Sequence, residues 1–159
     1  MIRQISASEF PLAVGVIRES FATVAEDLGL TEENCPKYVG FVTDVGRLQN
    51  HANWGWLMYG LFDGDRLVGY VSLSKGNGGA YEMHNLAVPP EYRHRGYGLR
   101  LLDYCKAIVK ELGGRKIALS IVEENTVLKD WYAANGFIHT GTKKFEHLPF
   151  TAGYMEWGC

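Results

Sequence analysis

Leu86-Ala87-Val88-Pro89-Pro90-Glu91-Tyr92-Arg93-His94-Arg95-Gly96-Tyr97-Gly98-Leu99 runs from an apolar strand end, through a basic loop with two glycines, into the start of a helix. Pro89 and Pro90 cannot donate to a ladder, so the strand stops there. The loop that follows is built for an anion: free main-chain N–H groups and the positive end of a helix dipole converge on it. Arg93 and Arg95 add full charges, and Gly96 and Gly98 let the main chain approach a phosphate where a Cβ would intrude. A dinucleotide fingerprint would need a small third residue where Leu101 stands, and no Gly-Lys-Ser/Thr follows to make a P-loop. On its own a Gly-x-Gly is as well explained by a simple helix start, so the flanking elements decide its meaning.

Upstream, Asp63-Gly64-Asp65 between Trp54–Phe62 and Leu67–Leu73 predicts a hairpin. Gly76-Asn77-Gly78-Gly79 predicts a second turn into a strand from Ala80 to Val88. Nearer the N-terminus, Ile2–Ile5 reads as a short strand, and Ser8 is the expected cap of a helix that tolerates Pro11 in its first turn. Phe10, Val14, Ile17, Phe21, Val24 and Leu28 form the apolar stripe of that helix, which Gly29 ends. Thr31 to Asn53 reads as one weaker helix, with Val39, Val42, Val45 and Leu48 in step.

Downstream, Leu101, Leu102, Cys105, Ile108, Val109 and Leu112 mark a helix closed by Gly113-Gly114. Ile117–Val122 is nearly all apolar, as expected of a central strand covered on both faces. A short helix from Asn125 or Thr126 ends at Gly136. Phe137–Phe145 and Thr151–Trp157 are the last strands. The order β-α-α-β-β-β-α-β-α-β-β describes a single mixed α/β domain over 1–159, a mostly antiparallel sheet of about seven strands with four helices.

The 159 residues are 47% hydrophobic and 21% charged, in the range of one ordinary globular domain. Lys and Arg number 16 against 18 Asp and Glu, a net charge of −2, which is no footprint for nucleic acid or an anionic membrane. Cys35, Cys105 and Cys159 show no Cys-x-x-Cys, so neither a disulfide framework nor a thiolate zinc site is indicated, and the five histidines lack ligand spacing. The N-terminus has no apolar signal-peptide core, and the expected setting is the cytoplasm.

With these elements around it, the sequence resembles the GCN5-related N-acetyltransferase (GNAT) superfamily of small bacterial acetyltransferases. Arg93-His94-Arg95-Gly96-Tyr97-Gly98 matches the acyl-CoA signature Arg/Gln-x-x-Gly-x-Gly/Ala. Asn85-Leu86-Ala87-Val88-Pro89 is similar to the bulged fourth strand, and Asn125 with Trp131-Tyr132-Ala133-Ala134-Asn135-Gly136-Phe137 to the second cofactor motif. The resemblance implies acetyl-CoA as cosubstrate and no metal. It places the pyrophosphate on the amides from His94 to Leu99 and the pantetheine arm along the main chain of Leu86, Ala87 and Val88. It also puts Arg93, Arg95, Asn125 and Tyr132 in contact with the cofactor.

The same resemblance implies direct transfer to a primary amine of a small molecule or peptide, with peptide N-termini, lysines, polyamines, aminoglycosides and small amine metabolites all open as acceptors. Glu82 is the candidate general base, expected to share a strand face with Val88, and His84 is its rival. The N–H of Val88 is the candidate oxyanion donor, and Tyr132 the acid that protonates the leaving thiolate. An acceptor would lie near Phe21, Glu26, Tyr38, Trp54, Trp56 and the Phe145–Phe150 turn, where Glu26, Asp27, Glu32 and Glu33 are either a cation lure or a solvated helix end. Two other readings need no chemistry: an acyl-CoA sensing domain that uses the same loop, and an interaction domain that uses the exposed tryptophans. A homodimer through Tyr154–Trp157 is a further expectation.

Overall fold

The computed structural model describes residues 1–159. The chain forms β1 (Ile2–Gln4), α1 (Phe10–Leu28), α2 (Val39–Val42), α3 (Val45–Asn53), β2 (Leu57–Asp63), β3 (Arg66–Lys75) and β4 (Ala80–Ala87), then α4 (Tyr97–Glu111), β5 (Lys116–Val122), α5 (Thr126–Ala134), β6 (Ile138–Lys144) and β7 (Thr151–Gly158). The seven strands make one sheet in the order β1-β2-β3-β4-β5-β7-β6. All neighbours are antiparallel except β4 and β5, which are parallel because α4 carries the chain back across the sheet between them.

Two cores sandwich the sheet. On one face Phe10, Ala13 and Ile17 of α1 and Leu48 of α3 close over Met58, Tyr70 and Ala87. On the other, Leu101, Leu102, Cys105 and Val109 of α4 and Tyr132 of α5 cover Val71, Leu73, Met83, Ile117 and Leu119. Each fully buried Leu or Ile contributes about 1.5–3 kcal/mol, so the periodic stripes are what hold the helices to the sheet.

Three expectations are corrected. The turn before α1 is organised by Ser6, not Ser8: the Glu9 carboxylate accepts from the Ser6 main-chain N–H at 2.8 Å. The single weak helix after Gly29 is instead a turn and two short helices. Thr31 and Asn34 bond each other's main chain, and Asp44 starts α3 by accepting from the Arg47 N–H at 2.7 Å. Strand β5 is not covered on both faces. Ile117, Leu119 and Ile121 are buried while Ser120 is exposed, because α1 packs on β3 and β4 and leaves the neighbouring half-sheet open. Strand β7 lies between β5 and β6 with both edges paired. No helix is long and apolar enough to cross a membrane.

Candidate active site

Strands β4 and β5 stay together only where Ala80–Glu82 meet Lys116–Ala118. Beyond Glu82 both continue unpaired with each other, so a wedge opens with its apex at Glu82 and its mouth at the basic loop. A bulge in β4 supplies the bend. Ser72 lies opposite His84 and Tyr70 opposite Ala87, so β4 has one more residue than β3 across this step, and Asn85 takes φ 55° to fit it in. The edge of β4 that faces the wedge has no strand to bond.

The bulge also inverts the alternation of side chains. Through Ser74, Ser72 and Tyr70, the residues Glu82, His84 and Ala87 lie on one face. Val88 therefore falls on the other, where it packs against the α4 side of the core. The expected sharing of a face by Glu82 and Val88 is corrected, since one extra residue shifts a period of two by half.

At the mouth, the main-chain N–H groups of His94, Arg95 and Gly96 donate to no protein acceptor. Those of Tyr97, Gly98 and Leu99 form the free first turn of α4, whose N-cap Gly96 has no side-chain cap. Gly96 needs to be glycine for its own conformation, at φ 78°, whereas Gly98 does not. A Cβ on Gly98 would meet only the Trp131 ring, at 3.7 Å. Glycine in a helix costs about 1 kcal/mol relative to alanine, so the bare position preserves a cradle that nothing in the protein fills. Residues at this loop thus fit a pyrophosphate.

Arg93 does not point into that cradle. Its Nε donates to the Val88 carbonyl at 3.0 Å, Nη1 to Thr23 Oγ1 at 3.0 Å and Nη2 to the Ser20 carbonyl at 2.9 Å. The Val88 N–H in turn donates to Ser20 Oγ at 3.2 Å. The N–H and the C=O of Val88 are thus both bonded inside the protein, and the Arg93 guanidinium is turned to α1 rather than to the loop amides. Arg95 is exposed, its guanidinium 5.8 Å from the centre of the Tyr92 ring. Ser20 and Thr23 escaped the sequence reading, although Ser20 is a polar residue at a stripe position of α1, which is the signal that points to it.

Asn125 caps α5, accepting from the Leu128 N–H at 3.3 Å, so its side-chain oxygen is occupied and its amide nitrogen is free. Tyr132 is buried against Trp131 and Phe137, with ring centres 5.0 and 5.3 Å away, and burial pushes its phenol well above the ordinary tyrosine range.

At the apex, Glu82 opens onto a cavity of about 410 Å³ with Ala118, Thr140, Thr142, Tyr154 and Glu156. This is the half-sheet that α1 leaves uncovered. Partial burial raises the Glu82 carboxyl above the ordinary range. His84 Nε2 lies 4.0 Å from Glu82 Oε2 and 2.7 Å from Ser74 Oγ. Its ring stacks on Trp56, which stacks on His51 in turn, at centre distances of 4.1 and 4.0 Å. Burial pushes both imidazoles down to about 4, so they are neutral at pH 7. Of the residues expected around an acceptor, Trp56 is brought to this cluster. Tyr38 is not: it is a core residue whose hydroxyl donates to the Phe21 carbonyl at 3.2 Å.

The model of the acetyltransferase (GNAT) family matches residues 24–137. The chain belongs to this family. As a GNAT enzyme it is an N-acetyltransferase. The chain is 27% identical over 141 residues to a spermidine N(1)-acetyltransferase of Thermoplasma acidophilum, covering 86% of each. Among solved structures it is similar to the PaiA N-acetyltransferase of T. acidophilum in complex with coenzyme A, with TM-score 0.83, 24% identity, and coverage of 100% of this chain and 98% of that one. A ribosomal-protein-alanine N-acetyltransferase from Brucella melitensis has the same fold, with TM-score 0.74, 16% identity, and coverage of 100% and 99%.

Proposed function

We propose that this GNAT acetyltransferase moves the acetyl group of acetyl-CoA directly onto a primary amine of a small cationic acceptor, of which a polyamine is the leading case. The observation that carries the reading is the wedge itself. It joins a loop of acceptor-less amides at its mouth to a carboxylate at its apex, and the carboxylate faces a cavity on the open half-sheet. A second carboxylate, Glu156, lines that cavity, although Lys116 bonds it at 3.0 Å. The polyamine named for the T. acidophilum relative is consistent with such a pocket.

In this reading the pyrophosphate rests on the amides from His94 to Leu99, and the pantetheine arm lies along the open edge of β4 at Leu86 and Ala87. An amine of pKa about 10 is mostly ammonium at neutral pH, so attack needs a base. Glu82 takes that proton. His84 is the weaker choice because Ser74 holds its Nε2 and burial keeps its pKa low. Attack forms the C–N bond and a tetrahedral intermediate, whose oxyanion is met by N–H groups on the open edge of β4. Its collapse breaks the C–S bond: the Tyr132 hydroxyl gives its proton to the departing thiolate, and the second proton shed by the acetylated nitrogen restores the phenol.

The test has two steps. CoA at about 100 times its Kd adds roughly 2.7 kcal/mol to the folded state, so its Tm rises with acetyl-CoA and CoA but not with NAD. Thiol release is then followed with spermidine, other polyamines and monoamines. Absence of any shift with CoA overturns the reading, and turnover of monoamines but no polyamine overturns the acceptor class.

A further inference from the structure

Arg93 is the residue whose contacts depart furthest from what its place in the loop implies. Its guanidinium makes three bonds to two segments: to the Val88 carbonyl just past the end of β4, and to Thr23 Oγ1 and the Ser20 carbonyl of α1, at 3.0, 3.0 and 2.9 Å. Ser20 Oγ closes the ring by accepting from the Val88 N–H at 3.2 Å. Burial disfavours the positive charge, and Asp27, one turn further along α1, offsets part of that. The planar fork reaches two elements at once, and a lysine has no geometry to do so. Ser20 is itself buried, so the junction lies inside the protein.

The geometry points to Arg93 as a positioning residue that ties α1 to the cofactor loop, leaving Arg95 as the one loop guanidinium free to meet phosphate. Helix α1 packs on β3 and β4, on the sheet face that carries Glu82 and His84 and beside its open half, while the residues after Arg93 supply the pyrophosphate amides. Pyrophosphate drawn onto those amides pulls on the Arg93 main chain, and the guanidinium passes the restraint to Ser20 and Thr23. Cofactor binding is thereby felt at the helix beside the acceptor. This rests on the proposed use of CoA.

The experiment measures CoA affinity by calorimetry and amide hydrogen exchange across residues 18–28, with and without CoA. For the wild type, CoA slows exchange in this segment about fivefold or more, as expected when a local opening loses stability to a bound ligand. For Arg93→Met and Arg93→Lys that slowing is lost, while CoA affinity stays within about threefold. For Arg95→Met affinity falls about tenfold, the size of one lost charge-assisted phosphate contact. A tenfold loss of affinity in Arg93→Met, or slowing by CoA that survives in both Arg93 variants, overturns the assignment. Should Arg93→Met fail to fold, Thr23→Val with Ser20→Ala removes the same bonds from the helix side and gives the same pattern. If CoA does not bind the wild type, the proposed function falls with the coupling. If it binds and α1 does not respond, only the coupling falls.

Discussion

The imidazole of His84 lies flat on the indole of Trp56, with ring centres 4.1 Å apart and planes 9° from parallel. The other side of the indole carries His51, so one tryptophan keeps two histidines dry and neutral beside the Glu82 carboxylate. Replacing Trp56 by Leu admits water to both rings. Their pKa values return toward about 6.5, read by NMR titration of the imidazole carbons, and stability falls by roughly 2 kcal/mol for loss of a half-buried aromatic.

Acid weakens the fold through the same pair. A histidine whose folded pKa is depressed binds fewer protons folded than unfolded, so its contribution is full above the unfolded value near 6.5 and is lost as pH falls toward the folded value. With both folded values at about 4, the unfolding free energy from denaturant titrations drops most steeply between pH 6.5 and 4, by about a few kcal/mol in all. A His51→Gln, His84→Gln double variant flattens that slope.

Glu82→Gln removes the proposed base and lowers kcat by about 10²–10⁴. Because burial raises the Glu82 carboxyl, the acid limb of kcat/KM in the wild type sits above the ordinary carboxylate range and disappears in the variant. CoA affinity, measured separately, stays unchanged. Tyr132→Phe lowers kcat with KM for acetyl-CoA nearly constant.

Gly98→Ala separates stability from binding. The position is helical and a Cβ there makes only an ordinary contact with Trp131, so the variant gains up to about 1 kcal/mol in stability. If a phosphate occupies the cradle, CoA affinity falls at the same time by tenfold or more. Gly96→Ala behaves differently: at φ 78° it loses about 1–2 kcal/mol of stability as well as affinity.

Periodicity and punctuation by themselves determined most of the architecture: the stripe ending at Gly29, the Asp63-Gly64-Asp65 turn, the glycine loop before α4 and the order of the strands. Each is a local signal, set by residues within a turn or two of one another. The same was true of the loop amides from His94 to Leu99, because a helix start leaves its N–H groups free whatever surrounds it. What lay beyond the sequence was decided across long separations. Nothing near Val88 in the chain says that Ser20, on a helix on the far side of two hairpins, will accept a hydrogen bond from its amide, or that Arg93 will reach α1. The bulge at Asn85 was readable as a likeness, but its effect on which side chains share a face depends on the pairing with β3. Likewise the apolar run of β5 is silent about its open face, because coverage depends on how far α1 extends across the sheet. Tertiary structure alone placed Trp56 between His51 and His84, since stacking of residues on α3, on the connection into β2 and on β4 is fixed by packing and not by spacing along the chain.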